Sequence, residues 1–132
     1  MKFLLDTHIL LWWYLDHPKL SRHYADLLTK AEQSREELGI SVMSLWEISK
    51  LVSANRILIS FSLDQWFQEL EEDGLFKVLP LNGRIILDST RLGNGFHKDP
   101  ADQLIAATAR CHELRLMTVD ERIVSSKVVA IA

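Results

Sequence analysis

The segment Lys2–Asp16 reads KFLLDTHILLWWYLD, and its reading decides the fold. Lys2–Leu5 is a short apolar run ending at an acid, the pattern of a strand buried on both faces. Thr7–Asp16 is too apolar for a surface loop and predicts a buried helix that stops before His17-Pro18. The rest of the chain repeats this alternation. Ser21 caps a predicted helix through Ser34, with Tyr24, Leu27, Leu28 and Ala31 on one face. Leu38–Val42 is a second strand, and Ser44–Asn55 a helix with Leu45, Ile48, Leu51 and Val52 inward. Ser62 opens another helix, stopped by Gly74. Leu75–Leu81 is a third strand closed by Pro80, and Asn82–Gly93 a helix. After the loop GNGFHKD, Asp99 opens a helix to Leu114. Arg115–Asp120 is a fourth strand, Glu121–Ser126 a short helix, and Lys127–Ala132 a candidate fifth strand at the sheet edge. Strands alternating with helices predict a mainly parallel sheet of four to five strands with helices on both faces.

The 132 residues are read as a single domain, 1–132, long enough for one hydrophobic core. With 48% hydrophobic and 25% charged residues, the composition is that of an ordinary globular chain. A formal net charge of -3 does not announce a nucleic-acid binder, although an acidic site that recruits cations can still face a polyanion. Cys111 is the only cysteine, so no intrachain disulfide forms and a cytoplasmic setting is expected. No apolar run approaches the ~20 residues of a membrane helix. The N-terminal MKFLLDTHILLWWYL imitates a signal sequence, but Asp6 and His8 interrupt it and no cleavage site follows.

In open α/β sheets, ligands bind outside the carboxyl ends of the strands. Asp6 follows the first predicted strand, and Glu47 falls in the first turn of the helix after the second. Asp102 is in the first turn of the helix opened by Asp99, and Asp120 ends the fourth strand. Each acid also has a structural explanation. Asp6 can end a strand or cap a helix. Ser44-Leu-Trp-Glu47 fits a capping box. Asp99, Pro100 and Asp102 suit a helix start, and Asp120 can cap the short helix after it. Capping does not require four acids to converge on one sheet edge, where they repel. A divalent cation removes that repulsion, and hard carboxylate oxygens point to Mg²⁺ or Mn²⁺.

Four stretches carry a family resemblance: LLDTHILLWW at Leu4–Trp13, SVMSLWEISKL at Ser41–Leu51, HKDPADQLIAATA at His97–Ala109 and LMTVDERI at Leu116–Ile123. In order and spacing the chain resembles the PIN-domain ribonucleases, specifically VapC-type toxins of toxin–antitoxin pairs in the HxDPxD subgroup. The resemblance implies a PIN-like three-layer α/β/α sandwich. It places the family's acidic site on Asp6, Glu47, Asp102 and Asp120, and the family's Ser or Thr near the last acid on Thr118. Asp99 reads chiefly as the helix cap, with a metal or water contact as its other role. Gln103 stands where the subgroup usually has Arg, and RLGNGF precedes the third motif.

The implied activity is a metal-dependent endoribonuclease with one or two Mg²⁺ or Mn²⁺ ions, roughly 3.5–4 Å apart when there are two. Asp6 and Asp102 are the expected principal metal ligands. Glu47 is a ligand or orients the attacking water, and Asp120 holds a second metal or a ligating water. Thr7, Ser44 and Thr118 are expected to support these carboxylates. In-line attack by water leaves a 5′-phosphate and a 3′-hydroxyl. His8 and His97 fall near the site but read as loop or packing groups, because no histidine pair with fixed spacing is present. Lys50, Arg56, Lys98 and Arg84 are candidate RNA phosphate contacts. Most of the four tryptophans read as core, and one is a candidate for lining a partner groove. The resemblance further implies a homodimer and a VapB-like antitoxin that crosses the active-site groove. Two other readings compete. A metal-dependent phosphotransfer enzyme wants a second acid beside Asp6, but His8 stands two residues on. A non-catalytic PIN module that binds RNA or protein would typically lack one or more of the acids.

Overall fold

The computed structural model describes all residues, Met1–Ala132. Four strands form one sheet in the order β3-β2-β1-β4: β1 (Phe3–Leu5), β2 (Leu38–Ser41), β3 (Phe76–Leu79) and β4 (Arg115–Met117). Every pairing is parallel, with Leu4 opposite both Gly39 and Leu116, and Ile40 opposite Val78. α1 (Thr7–Tyr14) and α2 (Arg22–Ser34) connect β1 to β2, and α3 (Val42–Ser53) and α4 (Leu63–Glu72) connect β2 to β3. α5 (Gly83–Ser89) and α6 (Pro100–Cys111) then return the chain across the sheet to β4, and α7 (Glu121–Ser126) follows. The chain therefore winds outward from β1 in one direction and comes back on its other side. The carboxyl end of β1 is the topological switch point, where such sheets open a crevice.

Alternation along the strands divides the core into two layers. Leu5, Ile40 and Met117 face a cluster built with Ile9, Leu10, Leu28, Ile48 and Trp66. Leu4, Leu79 and Leu116 face the opposite cluster, with Phe96, Ile105, Ala106 and Ile123. α1 to α4 thus cover one face, while α6 and α7 cover the other, with α5 packed along α6. This is the expected three-layer α/β/α arrangement. Gly39 sits where a side chain would meet Leu4 and Leu79 from its flanking strands, at 3.2 and 3.3 Å from its Cβ.

Several boundaries differ from the sequence reading. The expected fifth strand is a single parallel bridge, Leu116 to Ile131. Lys127, with φ 58°, turns the chain, and the tail is then held to Leu116 only through Ala130 and Ala132 backbone bonds of 2.8 and 2.9 Å. β4 stops at Met117 rather than Asp120, because Thr118 turns away to bond the Tyr24 hydroxyl through both its N–H and its carbonyl. α3 begins at Val42, with Ser41 as the cap accepting from the Met43 N–H. The Ser44–Glu47 capping box is therefore not formed, and Glu47 lies in the second turn. No helix is long and apolar enough to cross a membrane.

Candidate active site

Asp6 leaves β1 as the N-cap of α1 and is almost wholly buried. Its Oδ1 accepts from the Thr7 N–H at 2.8 Å, and its Oδ2 accepts from the Thr118 hydroxyl at 2.7 Å. Thr118 Oγ1 in turn accepts from the Asp120 N–H at 3.1 Å. Glu47 Oε1 lies 2.7 Å from Thr7 Oγ1, which is also 3.0 Å from Ser44 Oγ. Thr7, Ser44 and Thr118 are all buried, so their hydroxyls are free to serve only these neighbours.

Asp6, Glu47 and Asp102 each present a carboxylate oxygen, and these three atoms lie within 4.8 Å of one another. Asp120 stands to one side. It joins Asp102 and His97 in a second set of the same span rather than the first trio. As the N-cap of α7, Asp120 accepts from the Arg122 N–H at 2.9 Å and from its guanidinium at 3.0 Å. Asp99 is the N-cap of α6, accepting from the Asp102 N–H at 3.1 Å. His97 stacks on Phe96 with ring centroids 4.9 Å apart. Its Nε2 approaches Asp102 Oδ2 to 3.2 Å, without an aligned hydrogen bond, and both ring nitrogens are shielded from solvent. Gln103 donates to the His97 carbonyl at 3.1 Å, pinning this loop to α6. The proximity of His97 to two of the acids is the site feature that sequence spacing did not assign. Its signal was its place as the first residue of the HxDPxD motif, although it read there as a loop or packing group. Lys50, Arg56 and Lys98 are exposed, and Arg84 lines a separate cavity with Arg91 and Arg110.

The electrostatics show what the trio lacks. Burial, and next the Asp6, Asp99, Glu47 and Asp120 carboxylates, push the Asp102 carboxyl up to about 7. Burial also raises Asp6 and Glu47, against the hydrogen bonds from Thr118 and Thr7 that favour their charged forms. Asp120 moves the other way, held down first by its hydrogen bond from Arg122. No Lys or Arg pairs with the trio. Three hard oxygen donors with no Lys or Arg partner, and only the His97 imidazole close to one of them, fit a divalent cation.

The family model for the PIN domain matches residues 3–127. The chain belongs to the PIN-domain family. Ribonuclease VapC22 of Mycobacterium tuberculosis is 31% identical over 124 residues, covering 94% of this chain and 91% of that protein. The same PIN fold is found in VapBC2 from Rickettsia felis, solved bound to a DNA fragment from its promoter. That match has a TM-score of 0.71 and 19% identity, and covers 100% of this chain and 98% of the other. It is also found in FitAcB from Neisseria gonorrhoeae, with a TM-score of 0.67, 23% identity, and 98% and 95% of the two chains covered. At these identities the two structures speak for the fold.

Proposed function

We propose that this chain is a metal-dependent endoribonuclease toxin of the VapC type, held inactive by a VapB-like antitoxin. The observation that carries the reading is the convergence of Asp6, Glu47 and Asp102 at the switch point with no Lys or Arg paired to them. Homology to a VapC ribonuclease supports the reaction class. Asp6 and Asp102 hold the cation, Mg²⁺ or Mn²⁺, with Glu47 as a third ligand or as the group that orients the attacking water. When bound, the cation neutralises the phosphate's developing charge and eases deprotonation of the attacking water. Thr7 fixes the Glu47 carboxylate, and Thr118 fixes Asp6. Asp120, oriented by Arg122, shares Asp102 with the trio as its neighbour and serves a second ion or an ordered water. In-line attack by water leaves a 5′-phosphate and a 3′-hydroxyl. A homodimer, carried over from the family resemblance, and a cytoplasmic setting, which the single cysteine permits, complete the proposal.

The test is cleavage of total cellular RNA by purified, antitoxin-free protein with Mg²⁺ or Mn²⁺, with chelator, and with Asp6→Asn in parallel. Cleavage that needs the metal and is lost in Asp6→Asn supports the reading. Absence of cleavage by folded, metal-loaded protein overturns it in favour of a binding module.

A further inference from the structure

We infer that Trp46, with Lys50 and Arg56, forms a subsite for an unpaired nucleotide of single-stranded RNA beside the acidic centre. This rests on the ribonuclease reading above and names how the substrate is held. The core accounts for the other tryptophans: Trp66 is buried within it, and Trp12 and Trp13 pack against it. Trp46 belongs to neither core cluster and remains 49% exposed. It immediately precedes Glu47 on α3. One turn on, the Lys50 ammonium lies 4.7 Å from the Trp46 ring centroid. A surface cavity of about 250 Å³ is lined by both residues together with Glu47, Leu51, Ala54 and Arg56.

An acidic centre cannot hold a polyanion by itself. Asp6, Glu47, Asp99, Asp102 and Asp120 all repel the approaching phosphate, so contacts that retain the chain must lie beside the acids. Trp46 offers an aromatic surface on which a base can stack, a contact open only to a base free of its own helix. Lys50 and Arg56 offer cations to the phosphates on either side of that base. A cation already seated against an indole supplies both kinds of contact within one nucleotide's reach. Charge also decides between partners. A protein segment that neutralised the acids would bring basic groups, and Lys50 and Arg56 would oppose them. Because Glu47 forms part of the cavity wall, a nucleotide bound there neighbours the scissile phosphate, and its identity bears on which sequences are cut.

Binding is measured by fluorescence anisotropy with a labelled single-stranded oligoribonucleotide and Mg²⁺, in an Asp6→Asn background that prevents cleavage. Trp46→Ala is expected to weaken binding about tenfold and Trp46→Phe by less than about threefold, since a phenyl ring still stacks. Lys50→Ala is expected to weaken binding and to flatten its salt dependence. A fully paired RNA duplex is expected to bind Trp46→Ala and Trp46→Phe as it binds the parent, since its bases are not free to stack. With Asp6 intact, Trp46→Ala is expected to lower kcat/KM about tenfold, mainly through KM, at an unchanged circular dichroism spectrum. Unchanged RNA affinity and kcat/KM in Trp46→Ala overturn the subsite while leaving the nuclease reading in place. Should Trp46→Ala instead weaken only a co-expressed antitoxin, the surface is a protein contact and the inference falls. If Asp6→Asn cleaves as well as the parent, the nuclease reading fails on its own arm.

Discussion

Thr7 has one hydroxyl proton and two oxygens to serve. Glu47 Oε1 at 2.7 Å takes the proton, so Ser44, 3.0 Å away, donates its own to Thr7. Thr118 works in the same way, giving its proton to Asp6 Oδ2 and accepting the Asp120 N–H. Each threonine therefore fixes one carboxylate of the trio. Thr118→Val removes the donor but keeps the shape, leaving a buried oxygen unpaired at a cost of about 1–3 kcal/mol. Metal affinity, measured by calorimetric titration, is expected to fall about 10–100-fold, whereas Thr118→Ser retains it. A second prediction concerns Asp102. Its carboxyl stands near 3.8 in the unfolded chain and about 7 in the folded one, so the folded chain binds the extra proton between those values. That contribution is fully present below about pH 4 and is lost as pH rises through 7. The melting temperature of chelator-treated protein is expected to drop as pH rises from 5 to 8. Asp102→Asn is expected to flatten this slope. Added Mn²⁺ is expected to stabilise more at pH 8 than at pH 5, because a carboxylate must lose its proton to ligate a metal. An equal slope in Asp102→Asn would assign the pH dependence elsewhere.

Neighbouring acids on one element can have different duties, and α6 shows this. Asp99 caps the helix through the Asp102 N–H, while Asp102 turns its carboxylate toward Asp6 and Glu47. Asp99→Ala is expected to cost about 1 kcal/mol of stability, read from denaturant unfolding, and Asp99→Ser far less. Cleavage by either variant is expected within about tenfold of the parent. Asp102→Asn is expected to show the reverse, a folded protein without cleavage. The same element marks what sequence could and could not disclose. Pro100 at the first helical position and the apolar run behind it made α6 legible, as the unbroken KFLL run made β1 legible. Boundaries set by distant partners were not. Ser41 rather than Ser44 caps α3, which moves Glu47 from the first turn to the second and breaks the apparent capping box. β4 ends early because Tyr24, far away on α2, takes the backbone of Thr118. Four acids after strands or near helix starts could be read from spacing. That Asp120 sits with His97 rather than within the trio depends on side-chain positions that spacing does not specify.

At the scale of the whole molecule, the site is a product of the switch point. Asp6, Glu47 and Asp102 come from three separate βα and loop–helix junctions, and they meet only when β1 lies between β2 and β4. The unfolded chain holds these acids far apart, so a cation at the trio binds the folded state almost exclusively. Binding then stabilises by mass action, by about 2.7 kcal/mol at a hundredfold excess over the dissociation constant. For a chain of this length, 1 kcal/mol moves the melting temperature by roughly 2–8 °C. Saturating Mn²⁺ is therefore expected to raise the melting temperature on the order of 10 °C over chelator-treated protein. The two core layers share one sheet, so tryptophan fluorescence and far-ultraviolet circular dichroism are expected to report a single coincident transition. Asp6→Asn is expected to abolish most of the cation's effect while keeping that single transition. It also relieves a repulsion, so the chelator-treated variant is expected to melt no lower than the parent. If Mn²⁺ stabilises Asp6→Asn as strongly as the parent, the cation is binding elsewhere on the acidic surface. The convergence of carboxylates would then need another explanation than metal binding.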